Sequence, residues 1–165
     1  MTAEADEAVV PPEARALIGR MRERQHLVTA LDIRKFAQAI GAASPIHVDA
    51  VAARAAGYPD IVAPPLFFQT MTFEAIAAER LPPDGSPIEL DVPVPATRAM
   101  GGSSDYTVHR PARAGEWIHV RSVLKDVQVK RGKSGPLYAI VVQTDFSAAD
   151  GALVASETAT YLKRP

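Results

Sequence analysis

Cysteine is absent from this chain of 165 residues, which excludes a disulfide framework and a zinc–thiolate site and fits a reducing compartment. Net charge is nearly absent too: 18 Lys and Arg face 19 Asp and Glu, leaving −1 at neutral pH. The signs are mixed along the chain, so no basic face invites nucleic acid or anionic lipid. No apolar run approaches the roughly 18–20 residues that span a bilayer. The acidic start MTAEADEAVV lacks the basic-then-apolar order of an export signal. The expectation is a cytoplasmic protein with no metal and no membrane partner. What the chain has in quantity is proline, 14 residues of it, which punctuates loops and counts against an all-helical fold.

Residues 1–13 read as a frayed tail and 14–165 as one domain, long enough to bury a core. Behind Pro11-Pro12 the run EARALIGRMRER predicts a short helix, and His26-Leu27-Val28 an edge strand. Thr29 and Asp32 form a capping box that launches IRKFAQAI, where Ile33, Phe36, Ala37 and Ile40 follow helical spacing and Gly41 stops it. A Ser-Pro loop follows. Asp49 then stands at the N-cap of the alanine-rich helix AVAARAA, which Gly57 ends. From Leu66 to Ala78 the only charge is Glu74, which predicts a long helix over 64–79, buried on nearly every side.

The segment from Leu81 to Pro95 is proline-rich and unfit for a central strand. Four strand-like runs then arrive at hairpin spacing: SSDYTVHR, EWIHVRSVLKDVQVKR, PLYAIVVQTDFSA and ALVASETATYLKR. Val, Ile, Thr and Tyr dominate them, and the separators around Pro111–Gly115, Gly132–Gly135 and Ala149–Gly151 read as turns. A buried helix beside an antiparallel meander needs a sheet to wrap it. The predicted fold is α+β: a curved antiparallel sheet of five or six strands around a long apolar helix, the hot-dog architecture.

The blocks FAQAIGAASPIHVD, GYPDIVAPPLF, GGSSDYTVHRPARAGEWIHVRSVL and KRGKSGPLYAIVVQTDF give the chain a resemblance to the MaoC-like dehydratase family, in its N-terminal-type, FAS1-like branch. The resemblance implies a hot-dog fold and the pairing of two such domains into a continuous sheet, as a homodimer or as a heterodimer with a second MaoC-like chain. It implies reversible, (R)-specific addition of water to a 2-enoyl thioester. No separate cofactor is implied, because coenzyme A or acyl carrier protein belongs to the substrate. Active members resemble Gly-Asp-x-Asn-Pro-(Ile/Leu)-His-x-Asp. Here Gly41, Pro45, Ile46, His47 and Asp49 match, while Ala42 stands at the Asp position and Ser44 at the Asn position.

His47 is the catalytic candidate: a neutral imidazole accepts a proton from adding water and returns it on dehydration. The plainer reading is a histidine that hydrogen-bonds a loop. Asp49 is a helix cap or, with Ser44, a substrate contact. The resemblance also implies backbone amides at the start of the long helix that polarise the thioester carbonyl. Pro65 has no N–H, so Leu66 and Phe67 are left as donors, unless the segment is simply a proline-started helix. Gly101, Gly102 and Ser103 allow close approach of a ligand or mark a bend. Arg131, with Lys133, belongs to a basic hairpin or meets the phosphates of coenzyme A. His109 and His119 have no ligand-spaced neighbours. Two functions stay open, a hydratase or dehydratase and a non-catalytic acyl-CoA-binding subunit of a heteromeric hydratase. A thioesterase comes third, with Glu74 its one available carboxylate.

Overall fold

The computed structural model describes residues 9–72, 77, 79, 81, 92–132 and 135–165. Five antiparallel strands make one sheet in the order β1-β3-β4-β5-β2. They are β1 (Met21–Leu27), β2 (Arg98–Val108), β3 (Trp117–Gly132), β4 (Gly135–Ala148) and β5 (Leu153–Arg164). The four C-terminal strands fall where their alternating β-branched and aromatic residues place them. The edge strand expected at 26–28 is β1, paired with β3 from Met21↔Val123 to Leu27↔Trp117.

The helix expected over 13–24 is the first correction. Only α1 (Pro12–Arg15) is helical, and residues 21–24 belong to β1. Burial in MRERQHL alternates residue by residue. Pairing with the long β3 satisfies its backbone and lets arginine stems cover apolar surface, so tertiary context overrides a helical pattern. The expected tail is shorter than drawn, because Val10, at 7% exposure, already packs in a core cluster.

α2 (Ala30–Ala39) starts as its capping box requires: Thr29 Oγ1 accepts from the Asp32 amide at 3.1 Å and donates to the Asp32 carboxylate at 2.6 Å. Gly41 adopts φ 66° just past its end, a left-handed conformation that glycine takes without a Cβ clash. α3 (Ala50–Ala55) is capped by Asp49, whose Oδ1 accepts from the Val51 amide at 2.7 Å.

The long apolar helix is the second correction. Its described part is a 3₁₀ helix over Pro65–Met71; residues 73–76, with Glu74 among them, and 78 and 80 lie outside the described residues. It is not buried all round. Phe67, Phe68 and Met71 are buried, whereas Leu66 is 52% exposed. Arg24 of β1 ties it to the sheet edge, donating from Nε and a terminal nitrogen to the Met71 carbonyl at 2.8 and 2.5 Å. The guanidinium fork there places two donors on one carbonyl at the end of the 3₁₀ helix.

Two apolar clusters line the covered face of the sheet. One gathers Phe67, Phe68, Met71, Ile118, Val120, Phe146 and Ala155 beneath the helical segments. In it the Phe68 and Phe146 rings pack at 5.1 Å and Phe36 meets Phe67 edge-on at 5.5 Å. The other, with Val10, Leu124, Val127, Ile140 and Val142, lies toward the far end of the strands. Among the described residues no helix is long and apolar enough to cross a membrane.

Candidate active site

The loop Ala42–Asp49 folds into a one-turn 3₁₀ helix at Pro45–His47, with Pro45 supplying the fixed φ of its first position. This loop is stitched to residues 61–63, whose Val62 amide donates to the Ile46 carbonyl at 3.1 Å. In return His47 Nδ1 meets the Val62 carbonyl at 2.7 Å. A carbonyl only accepts, so Nδ1 carries the proton and Nε2 of the neutral ring presents a lone pair. Nε2 has no hydrogen-bond partner among the described residues. His47 keeps 9% of its surface exposed. The ring is thus fixed in the tautomer and orientation that a proton acceptor needs.

The strip that holds His47 is braced from its other side. Ala63 donates to the Ala112 carbonyl at 2.8 Å, Ala114 to the Ile61 carbonyl at 3.1 Å, and Val62 bridges Arg113. The loop carrying Ala112 and Arg113 is clamped in turn. Glu116 accepts from two Arg110 nitrogens and, at 3.1 Å, from the Arg113 amide. Burial works against ionisation of Glu116, but the Arg110 hydrogen bond, the Arg113 amide and the two guanidinium charges more than offset it and lower its pKa. Arg110 moves up in step, chiefly through its bond to Glu116. The clamp, the 112–114 loop, the 61–63 strip and His47 form one chain of contacts.

No carboxylate hydrogen-bonds His47 among the described residues. Ala42 brings none, and the Asp49 carboxylate is exposed and used as a helix cap. Ser44 is exposed and makes no side-chain cap. The pair of donor amides needs correcting: the Phe67 amide donates to the Pro64 carbonyl at 2.9 Å in the 3₁₀ turn and is not available to a ligand. The Leu66 amide has no acceptor among the described residues.

The other expected contacts do not converge on this loop. Gly101, Gly102 and Ser103 form a bulge on the edge strand β2, where the register with β5 shifts between Gly101 and Ser103. A Cβ on Gly102 would meet the Thr160 carbonyl oxygen at 2.6 Å, so strand packing accounts for that glycine. Arg131 sits near the β3–β4 hairpin, opposite Pro136, roughly 45 Å of strand from Trp117 at about 3.3 Å per residue. Lys133 lies outside the described residues. His109 and His119 are both exposed, and His119 has a 3.5 Å contact with Gln25. Among the described residues no group of three or more His, Asp or Glu side chains is arranged to hold a metal ion.

Beside the Glu116 clamp an open cleft of about 650 Å³ is lined by Asp60, Arg113, Glu116, Trp117 and Asp150. Three carboxylates against one guanidinium make it a poor receptor for phosphates. Sequence reasoning missed the Val62 carbonyl and Glu116. The first is a backbone atom that no residue type announces, and the second gave no motif.

A five-stranded sheet in this order, curled over a short helical segment, defines a hot-dog protein. A family described as "FAS1-like, dehydratase domain region" matches residues 16–157. The chain belongs to that family and is a MaoC-like hot-dog dehydratase domain. A UPF0336 protein of Parafrankia is 35% identical over 133 residues, 80% of each chain. The alpha subunit of a 3-oxo-4,17-pregnadiene-20-carboxyl-CoA hydratase from Mycobacterium tuberculosis is 36% identical over 97 residues, 58% of this chain and 31% of its own. A solved MaoC-like dehydratase superposes with a TM-score of 0.71 at 26% identity, covering 92% of this chain. This chain spans only 43% of that one.

Proposed function

We propose that the chain is a subunit of an (R)-specific enoyl-thioester hydratase or 3-hydroxyacyl-thioester dehydratase, and that it binds the acyl thioester while a second MaoC-like chain completes the chemistry. One observation carries the reading: His47 is held with Nε2 as an acceptor, yet among the described residues no carboxylate hydrogen-bonds it. Addition of water needs a group to take the proton and a group to orient the water, and positioned acids and bases contribute about 10²–10⁴-fold each. A loop with one of the two is half a site. The alpha subunit among its relatives comes from a hydratase of a coenzyme A thioester, which supports both the substrate class and a partner. No cofactor is needed beyond the coenzyme A or acyl carrier protein of the substrate.

The self-sufficient hydratase is kept as a second reading because the His47 tautomer is the one a general base requires. In it His47 acts as acid/base, the Leu66 amide faces the thioester carbonyl, and a partner copy supplies the carboxylate. The two readings separate when the protein is purified alone and with a MaoC-like chain that carries the full Gly-Asp-x-Asn-Pro-x-His motif. Under the first reading crotonyl-CoA raises the melting temperature of the lone chain without being consumed, and hydration appears only in the mixture. Turnover by the lone chain that His47→Ala abolishes would establish the second. If crotonyl-CoA neither stabilises the chain nor is consumed in the mixture, both fall.

A further inference from the structure

The His47 imidazole is oriented by a backbone carbonyl, and that carbonyl belongs to the middle one of three packed segments. In extended backbone the N–H and C=O of one residue point to one side and those of its neighbours to the other. Val62 turns both of its groups to the Ala42–Asp49 loop, its amide to the Ile46 carbonyl and its carbonyl to His47 Nδ1. Ile61 and Ala63 turn the opposite way at the antiparallel bridge between Val62 and Arg113. There the Ile61 carbonyl accepts from the Ala114 amide and the Ala63 amide donates to the Ala112 carbonyl. A tilt of 112–114 is therefore a tilt of the Val62 carbonyl, and a hydrogen bond weakens steeply as its angle closes.

The 112–114 segment lies in the connection between β2 and β3, outside both strands, and connections are the more mobile parts of a fold unless something holds them. Its flanks are held by backbone. His109 donates to the Val154 carbonyl at 2.9 Å, Gly115 to the Val28 carbonyl at 2.8 Å, and Val28 to the Glu116 carbonyl at 2.9 Å. Between these flanks the Arg113 amide donates to a side chain, Glu116 Oε2, at 3.1 Å. Arg110 closes the arrangement, donating to both carboxylate oxygens, to Oε2 at 3.0 Å, and to the Pro111 carbonyl at 3.2 Å. The Glu116 side chain is only 10% exposed, and a paired charge at such a place stabilises no more than well-packed apolar side chains would. What a fork of charged hydrogen bonds adds is a fixed direction.

We infer that Glu116 is a positioning residue for His47: its carboxylate fixes the 112–114 segment, and through the 61–63 strip it fixes the Val62 carbonyl that keeps Nδ1 protonated and Nε2 an acceptor. Glu116 touches no reacting atom and acts only through the backbone between. A general base works only within hydrogen-bond reach and in the right protonation form, and a carbonyl out of line secures neither. This role rests on the half-site reading of His47 above and deepens it, adding a residue that sequence spacing places 69 positions away.

The experiment reads the His47 tautomer directly, from nitrogen-15 NMR of the imidazole in the full chain without substrate. Spectra are taken near pH 8, where an ordinary imidazole is neutral, and the His47 signals are assigned by their loss in His47→Asn. The unmodified chain is expected to show Nδ1–H almost alone. Glu116→Gln, near-isosteric, is expected to lower the ratio of Nδ1–H to Nε2–H by about fivefold, the weight of one ordinary hydrogen bond. Arg110→Lys, which keeps the charge and gives up the fork, is expected to shift it in the same direction. Gly102→Ala, which strains the far edge of the sheet against the Thr160 carbonyl, is expected to leave it unchanged. An unchanged ratio in Glu116→Gln would overturn the role, since packing around the buried Ala112 would then suffice. An equal fall in Gly102→Ala would overturn it too, because general loosening would explain both, and so would an unmodified ring protonated on Nε2. If Glu116→Gln does not fold, Arg110→Lys against Gly102→Ala decides in the same way. No thioester enters the measurement, so failure here leaves the binding reading standing, and failure of crotonyl-CoA to bind or react is seen separately.

Discussion

The two ends of the sheet answer differently to the same kind of expectation. At the end where β3 begins, the residues of the Gly41–Asp49 block stay together. Their loop is stitched to 61–63, which is braced by 112–114 and clamped through Glu116. At the other end, Gly101–Ser103 read either as ligand contacts or as a bend, and Arg131 either as a phosphate contact or as part of a basic hairpin, and they lie in a strand bulge and beside a hairpin. Residues contiguous in a motif share a local structure and arrive together. Residues joined only by a plausible role are distributed by the topology, which here sends them to opposite ends of β3.

Substitutions at the two ends are expected to have different effects. The largest effect is expected from Phe146→Ala, which removes the ring packed on Phe68 in a fully buried site. A cost of about 3–5 kcal/mol would show as a large fall in the urea midpoint. Next comes Glu116→Gln, expected to cost about 2 kcal/mol by leaving Arg110 with a weaker partner and to lower the melting temperature by roughly 4–8 °C. It would also flatten the acid limb of stability. The Glu116 pKa is lowered in the fold, so its contribution is present above the unfolded value of 4.5 and is lost as pH falls through the lower folded value. A pH series of melting curves on both proteins reads this directly.

At the far end Gly102→Ala drives a Cβ against the Thr160 carbonyl and is expected to destabilise by about 1–3 kcal/mol, with thioester affinity unchanged. A loss of thioester affinity without loss of stability would move that bulge back into the site and erase the contrast between the two ends. The smallest effect is expected from Asp49→Ala, a lost helix cap worth about 1 kcal/mol with no change in thioester binding, read by thermal melts and titration.

Much of the fold was legible in residue types that act locally. Thr29 and Asp32 announce a capping box, Asp49 a cap, and the Val- and Thr-rich runs after residue 100 their strands. MRERQHL was not, because arginine serves a helix surface and an edge strand equally well and only the neighbouring β3 decides. The Pro64-Pro65 entry was legible as a start but not as 3₁₀ geometry, which consumes the Phe67 amide. In the site, His47 and the gap at Ala42 could be read from the resemblance. The Val62 carbonyl that fixes the imidazole could not, since every residue has one.

Whether the His47 loop is half a catalytic site is decided by assaying crotonyl-CoA hydration with the purified chain and with its Ala42→Asp and Ala42→Asp/His47→Ala variants. No turnover is expected from the chain itself, measurable turnover once a carboxylate stands at 42, and its loss when His47 is removed. Turnover by the unmodified chain that Ala42→Asp leaves unchanged would overturn the half-site, because the loop would then already hold everything the reaction requires.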